Sequence, residues 1–569
     1  MLNRVFLSLA RRKEYLPLAV ILGFAAILRF VGLDYGLPLW LVGDEVSHIF
    51  GALKMLELKT LLPALHLNDF AGVFYYTPYL SYLYLLPFLF AAGIKFILFS
   101  GSISEFKNFL IVDPSIFFVA ARAVSAVFGV ATVWIVYQAG YQLFLQKRVA
   151  LLSALFLAFS FLHVNYSHWA RHWVAVTGFF ALGIYVLANR SLSVGYRYML
   201  VAAIIGVGMG FNVQVLLFGV YTLIWWFLFD REPILRLLIR SWFWKAVAIF
   251  SALFGTGFLL WPRGYGFLLL AKNINPAIGG GRSLAGFLEI YWFYLSDFIK
   301  TEPVFLIFIV VGMAALCWSY RRLAVVLGGF SFLYIAAFYF MFEHVDRFIL
   351  ALYPIAAVLA GYGLSQVLDF VRSRRVAWAT IIVVAVLLFI PVARYDYLLV
   401  KNDTRTQAIN WAKNNLSAGA KVMVLAPLTR LPSAPTALAE QVGIDSESLR
   451  SVDRAEMSGA DAADYKNSFH ALNLANISRP DFFSGLEEYV ARERYQYIIF
   501  DSAFARLKGA AFLSDNFGTL LREYPGSEEP LAFGHQRIPD GFGDGLKELF
   551  FSSALGPSIK IIKLNSLSE

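Results

Sequence analysis

Long apolar runs separated by short polar turns make up the first two-thirds of the chain. Runs near the ~20 residues that a helix needs to cross a bilayer recur from Leu16 to about Val392. They predict crossings at about 16–33, 115–139, 149–163, 172–188, 198–211, 213–229, 246–261, 303–320, 323–341, 347–368 and 377–393, about eleven in all. The segment 79–99 is interrupted by Pro87 and Lys95 and does not fit the alternation as one crossing, so a re-entrant or interfacial helix is expected there. From Lys401 the apolar runs shorten and Asp, Glu, Ser, Asn and Gly become frequent. "DTRTQAINWAKNNLSAGAKVMVLAP" then predicts an amphipathic helix, a Gly-bearing turn and a buried strand. "LEEYVARERYQYIIFD" repeats the helix-to-strand order, and "GPSIKIIKL" predicts a closing strand. The expected organisation is a membrane domain over 1–397 and a small soluble α/β domain over 398–569.

Composition agrees with that pattern. Of 569 residues 59% are hydrophobic and 15% charged, against roughly 25% charged in soluble domains. The first run follows Arg4, Arg11, Arg12 and Lys13 and shows no small-residue cleavage site, which predicts a retained helix rather than a signal peptide. The net charge of +10 does not mark a nucleic-acid binder, because the basic residues are dispersed among short loops. Clusters at Lys147/Arg148, Arg190/Arg197, Arg231/Arg236/Arg240/Lys245, Arg321/Arg322 and Arg372/Arg374/Arg375 fit cytoplasmic turns, with the N-terminus inside. That orientation leaves 34–114, 262–302 and the C-terminal domain on the extracytoplasmic side of a plasma or inner membrane. The single cysteine, Cys317, offers neither a disulfide nor a thiolate metal site.

Candidate chemistry gathers on the outer side. "LPLWLVGDEVSHIFGALKML" sets Asp44 and Glu45 side by side shortly after the first run, with His48 one helical turn beyond Asp44. Carboxylates near a membrane interface are costly unless paired, hydrated or functional. They also suit a helix start, where they complement the dipole. "NYSHWARHW" contributes His168, Arg171 and His172, and "FEHVDRF" contributes Glu343, His344, Asp346 and Arg347. Arg263 and Arg282 lie in the outer loop 262–302. Basic residues outside run against the positive-inside trend; snorkelling toward lipid phosphates accounts for many such residues singly. Together they fit a pocket for an anionic group facing a carboxylate pair, which points to a lipid-linked phosphate.

These motifs carry a family resemblance. "GDEVSH" after the first span, "LNDFAGVFYYTPYLSYLY", "ARAVSAVFGVATVWIVYQAGYQLF", "SHWARHW" and "DRFILALYPIAAVLAGYGL" occur in the order seen in GT-C fold glycosyltransferases that use polyprenyl-phosphate sugars. That superfamily includes the protein O-mannosyltransferases and the lipid A aminoarabinose transferases. The resemblance covers roughly 30–400, and "DTRTQAINWAKNN" resembles the family's entry to its exterior domain. It implies that Asp44 is the general base, with Glu45 in support, in an inverting transfer to an extracytoplasmic glycan, lipid or protein acceptor. Arg347 and Arg171, followed by Arg122, Arg263 and Arg282, would stabilise the leaving polyprenyl phosphate. His48, His168 and His344 would support the acceptor or a metal. The family often has an acid near the end of the stretch resembling "SHWARHW", where this chain has Trp173. No cofactor is assigned; Asp44, Glu45 and His48 supply donors for a divalent cation, but their spacing specifies no geometry. The competing class is a transporter or lipid flippase using the acidic pair as a proton or ion site. The clustering of charges at span ends, rather than mid-span, argues against it.

Overall fold

The computed structural model describes residues 2–43, 45–74, 77–231, 233–261, 284–340, 345–448, 468–508, 518–526 and 545–564. Asp44, Arg263, Arg282 and His344 lie outside them. Among the described residues, six helices are long and apolar enough to cross a membrane: Tyr79–Leu98, Ser115–Phe144, Val213–Asp230, Ser241–Leu260, Asp346–Phe370 and one opening at Arg374. Shorter apolar helices occupy Tyr15–Phe30, Trp173–Ala188, Val194–Met209 and Pro303–Ser319, all within or near expected runs.

The expected eleven straight crossings are not reproduced one for one. Tyr79–Leu98 is a continuous helix that runs through Pro87, not an interrupted segment. The expected crossing at 149–163 is instead two helices, Lys147–Ala158 and Phe161–Ser167, meeting at 60°. The run at 323–341 is broken by a π-helical turn over Val325–Gly329.

Asp346–Phe370 is the central element, with 89% of its apolar window buried. Small residues let its neighbours approach: a Cβ on Gly312 of Pro303–Ser319 would lie 1.9 Å from the Leu359 carbonyl oxygen. Such small-residue contacts are how helices pack closely where no hydrophobic drive separates protein from lipid. Helices on the outside of the bundle present Trp318, Leu259 and Phe227 to their surroundings, as a lipid-facing surface would.

After Arg374–Val400, the chain enters a domain built on a five-stranded sheet. Its strands are β1 Lys421–Leu425, β2 His470–Asn473, β3 Tyr497–Asp501, β4 Gly518–Tyr524 and β5 Ile559–Leu564, in the order β2-β1-β3-β5-β4. The pairs β1/β2 and β1/β3 are parallel, while β5 runs antiparallel to both β3 and β4. Alternation along β1 divides its side chains between two cores, Met423 and Leu425 on one face and Val422 and Val424 on the other. The expected helix, turn and strand over 403–427 appear as Thr404–Asn415, a turn with Gly419 at φ +77°, and β1.

The sheet and its helices are joined directly to the helical bundle. Tyr35 Oη donates to Asp403 Oδ2 at 2.7 Å, and Leu546, Leu549 and Leu555 pack into the main helical core. The first helix hands over to this junction through Gly32, whose φ of +76° strongly favours glycine. A Cβ there would lie 2.6 Å from the Leu399 Cβ.

Candidate functional site

The acidic motif opens a helix, as its sequence predicts: Glu45–Leu58 begins one residue after Asp44. Glu45 is fully buried and held from three directions. Arg122 donates to its carboxylate through Nε, at 3.1 and 3.3 Å, and through Nη2 at 2.9 Å. The Ala170 amide donates to Oε1 at 2.6 Å. Arg122 spends Nη1 on the carbonyls of Leu33 and Tyr35, at 2.8 and 2.7 Å, and its guanidinium lies 5.2 Å from the Trp169 ring centroid. A buried carboxylate is tolerable only with such partners, and these also tie three segments together: 33–35, the helix start at 45, and 169–170.

The residue preceding Asp44 is fixed as well. Arg171 donates from Nε and Nη2 to the Gly43 carbonyl, at 3.0 and 2.8 Å. Both chain neighbours of Asp44 are therefore clamped, each by an arginine from a different part of the sequence.

Around this clamp other polar side chains converge. The rings of His48 and His172 meet edge-on with centroids 5.8 Å apart. Asn212 Nδ2 lies 2.7 Å from His172 Nε2, and Arg171 and Arg347 are near enough to act on His172 electrostatically. Arg347 lies over Trp173, 5.6 Å from its centroid, and its amide donates to Asp346 at 2.7 Å. Asp346 also accepts from Tyr166 at 2.9 Å. Hydroxyls fasten the helix Glu45–Leu58 to its surroundings: Ser47 donates to the Val73 carbonyl at 2.6 Å and Ser81 donates to the His48 carbonyl at 2.7 Å; nearby, Thr77 donates to the Gly210 carbonyl.

The structure thus gathers Glu45, His48, Arg122, Arg171 and Arg347 at one end of the bundle. It gives two of the expected site residues different surroundings from those expected. Arg122, fully buried, directs its fork at Glu45 and backbone carbonyls rather than at an open pocket. His168 turns away from the acidic motif: Nδ1 and Nε2 each lie 2.9 Å from a backbone carbonyl, those of Val164 and Val31. A neutral imidazole donates to only one of two such acceptors.

Sequence reasoning missed what holds the broken span. The last carbonyls of Lys147–Ala158 lose their helical partners at the break, and Arg29 donates to those of Ala158 and Leu157 at 3.1 Å each, the latter also accepting from the Ser160 amide at 3.4 Å. At the start of Phe161–Ser167, Glu302 accepts from the Leu162 amide at 2.8 Å and from Ser160 Oγ at 3.0 Å. The Arg29 guanidinium thus caps the end of one helix and the Glu302 side-chain oxygen the start of the next. The signal available was that both are ionisable residues at the edges of apolar runs.

Among the described residues, no three His, Cys, Asp or Glu side chains group as metal ligands would.

No protein-family profile and no curated protein matches the chain. Among solved structures, it is similar to the oligosaccharyltransferase of Archaeoglobus fulgidus tethered with an acceptor peptide, at 13% identity and a TM-score of 0.45, over 89% of this chain and 73% of that one. It is also similar to ArnT from Cupriavidus metallidurans bound to undecaprenyl phosphate, at 11% identity and a TM-score of 0.45, over 89% and 95% of the two chains. A third similarity is to the arabinofuranosyltransferase AftD from Mycobacteria, at 14% identity and a TM-score of 0.34, over 79% of this chain and 34% of that one.

Proposed function

We propose that the protein is an integral membrane glycosyltransferase that moves a sugar from a polyprenyl-phosphate donor to an extracytoplasmic acceptor. The observation that carries the reading is the double clamp around Asp44: Gly43 held by Arg171, and Glu45 held by Arg122 and the Ala170 amide. A general base must be held in place to work, and two buried arginines fixing its neighbours supply that.

In this mechanism the Asp44 carboxylate accepts the proton of the acceptor nucleophile as that atom attacks the anomeric carbon. The bond from that carbon to the phosphate oxygen breaks, its electron pair leaves on the polyprenyl phosphate, and configuration inverts. No glycosyl-enzyme intermediate forms, so no second carboxylate nucleophile is needed. Arg347 stabilises the charge growing on the leaving phosphate, and Arg171 supports it while holding Gly43. Arg263 and Arg282 enter as further phosphate ligands on the sequence resemblance alone. Glu45 and Arg122 act as positioning residues. His48 and His172 line the acceptor side. The N-terminus is cytoplasmic and the C-terminal domain extracytoplasmic.

The test is transfer from labelled polyprenyl-phosphate sugars in proteoliposomes, with lipid and proton flux followed in parallel. Label reaching an added acceptor supports the reading. Flux without any transfer would replace it with a transporter.

A further inference from the structure

The opposite end of the bundle carries a cleft. Arg122 and Gln142 lie twenty residues apart on Ser115–Phe144, about 30 Å at 1.5 Å per residue, so the two ends stand a hydrocarbon thickness apart. At the Gln142 end, a cleft of about 470 Å³ opens among helix termini, lined by Arg190, Arg321 and Arg322 with Trp225, Phe229 and Trp318 among its aromatics. Its lining includes no carboxylate. The acids nearby are already used: Asp230 pairs with Arg197 at 2.9 Å and Asp369 with Arg148 at 2.5 Å. Among the described residues, none of the three cleft arginines has a carboxylate partner.

Two further features point to an occupant that accepts hydrogen bonds. Trp225 is 2% exposed, and its buried indole N–H has no partner among the described residues. A buried donor of that kind costs free energy until something accepts from it. One wall also contains a π-helical turn, Trp226–Asp230, which contributes Phe229 to the lining, a distortion that recurs at functional sites. Arg190 is steadied over Phe229, 5.6 Å from its centroid, which leaves its planar fork available.

We propose that this cleft binds the phosphate headgroup of an anionic membrane lipid. Three uncompensated guanidinium groups match phosphate oxygens, the indole N–H supplies a fourth donor, and exposed Trp318 suits the headgroup level where aromatic rings settle. The volume exceeds what a lone phosphate ion needs and leaves room for the glycerol and first acyl carbons. The inference stands whether or not the other end transfers sugar.

The test uses the full chain in nanodiscs mixing phosphatidylglycerol with phosphatidylcholine, with co-purified lipid read by native mass spectrometry. Wild type should retain phosphatidylglycerol preferentially. The triple variant Arg190→Gln, Arg321→Gln, Arg322→Gln should retain about tenfold less. The triple variant Arg372→Gln, Arg374→Gln, Arg375→Gln removes the same charge from the same end outside the cleft, and should stay within about twofold of wild type. Trp225→Phe keeps the ring but loses the donor, and should cost about threefold. Equal loss in both triple variants would mean diffuse surface charge and overturn the site. Undiminished retention in the cleft variant would overturn it too. Inorganic phosphate that displaced the lipid at matched concentration would reassign the cleft to a free anion.

Discussion

At the scale of single residues, burial reassigns two roles that chemistry alone suggested. Glu45 and Arg122 are recognisable in sequence as a carboxylate beside the motif and an arginine at a span, yet they lie 77 positions apart, and no spacing announces their pairing. Both are 0% exposed and joined, so each becomes the other's requirement. Removing one partner leaves the other charged and unpaired, so Glu45→Gln and Arg122→Gln should each destabilise the protein by about 3–5 kcal/mol. The double variant should cost less than the two costs together, with a coupling of about 1–3 kcal/mol. Thermal unfolding in detergent measures this. Strictly additive losses would show that the pair is not a unit. Arg171 was legible as a candidate site residue, but its hold on the Gly43 carbonyl was not, because backbone acceptors leave no trace in sequence.

At the scale of elements, the broken span is the least legible feature. "LLSALFLAFSFLHVNYS" contains neither Gly nor Pro, so its apolar pattern predicts one straight helix. The only local cue is Ser160, whose hydroxyl accepts from the His163 amide and caps the second helix. The bend is held by hydrogen bonds supplied from afar, by Arg29 from the first helix and Glu302 from the turn before Pro303. It aims the loop 168–172, with Arg171 and His172, at the acidic motif. Arg29→Met preserves the side-chain length but strips the donors from the Leu157 and Ala158 carbonyls. It should lower stability by about 2 kcal/mol or more. A melting temperature equal to wild type would mean that the break is held without Arg29.

At the scale of the whole molecule, the change from long apolar helices to a small C-terminal sheet was legible, because apolar runs shorten and polar residues rise from Lys401. β1, β3 and β5 were legible as apolar runs. β2 is only four residues long, and β4 is mostly exposed, so neither gave a hydrophobic signal. Within this domain Glu440 accepts from Tyr489, Tyr495 and His470, at 2.5, 2.8 and 2.5 Å. Burial pushes its carboxyl upward, but those hydrogen bonds outweigh burial and hold it below the ordinary glutamate value. A carboxylate whose folded pKa is depressed stabilises the fold above its unfolded pKa, near 4.3, and loses that contribution as pH falls through the folded value. Amide exchange across β2 should therefore be steady from neutral pH to about 5 and lose protection below about 4, with Glu440→Gln flattening the dependence. An unchanged acid limb in Glu440→Gln would remove Glu440 from the account. The domain also reaches the site, since Tyr35 offers its hydroxyl to Asp403 and its carbonyl to Arg122.

The proposed reaction rests on Asp44, whose chain neighbours Gly43 and Glu45 are held by Arg171 and Arg122. The most direct measurement is single-turnover transfer from a labelled polyprenyl-phosphate sugar by wild type and Asp44→Asn in the same lipid, with donor binding measured separately. The account predicts that Asp44→Asn retains donor affinity within about threefold and loses transfer by at least about 100-fold. Transfer at the wild-type rate in Asp44→Asn would contradict it.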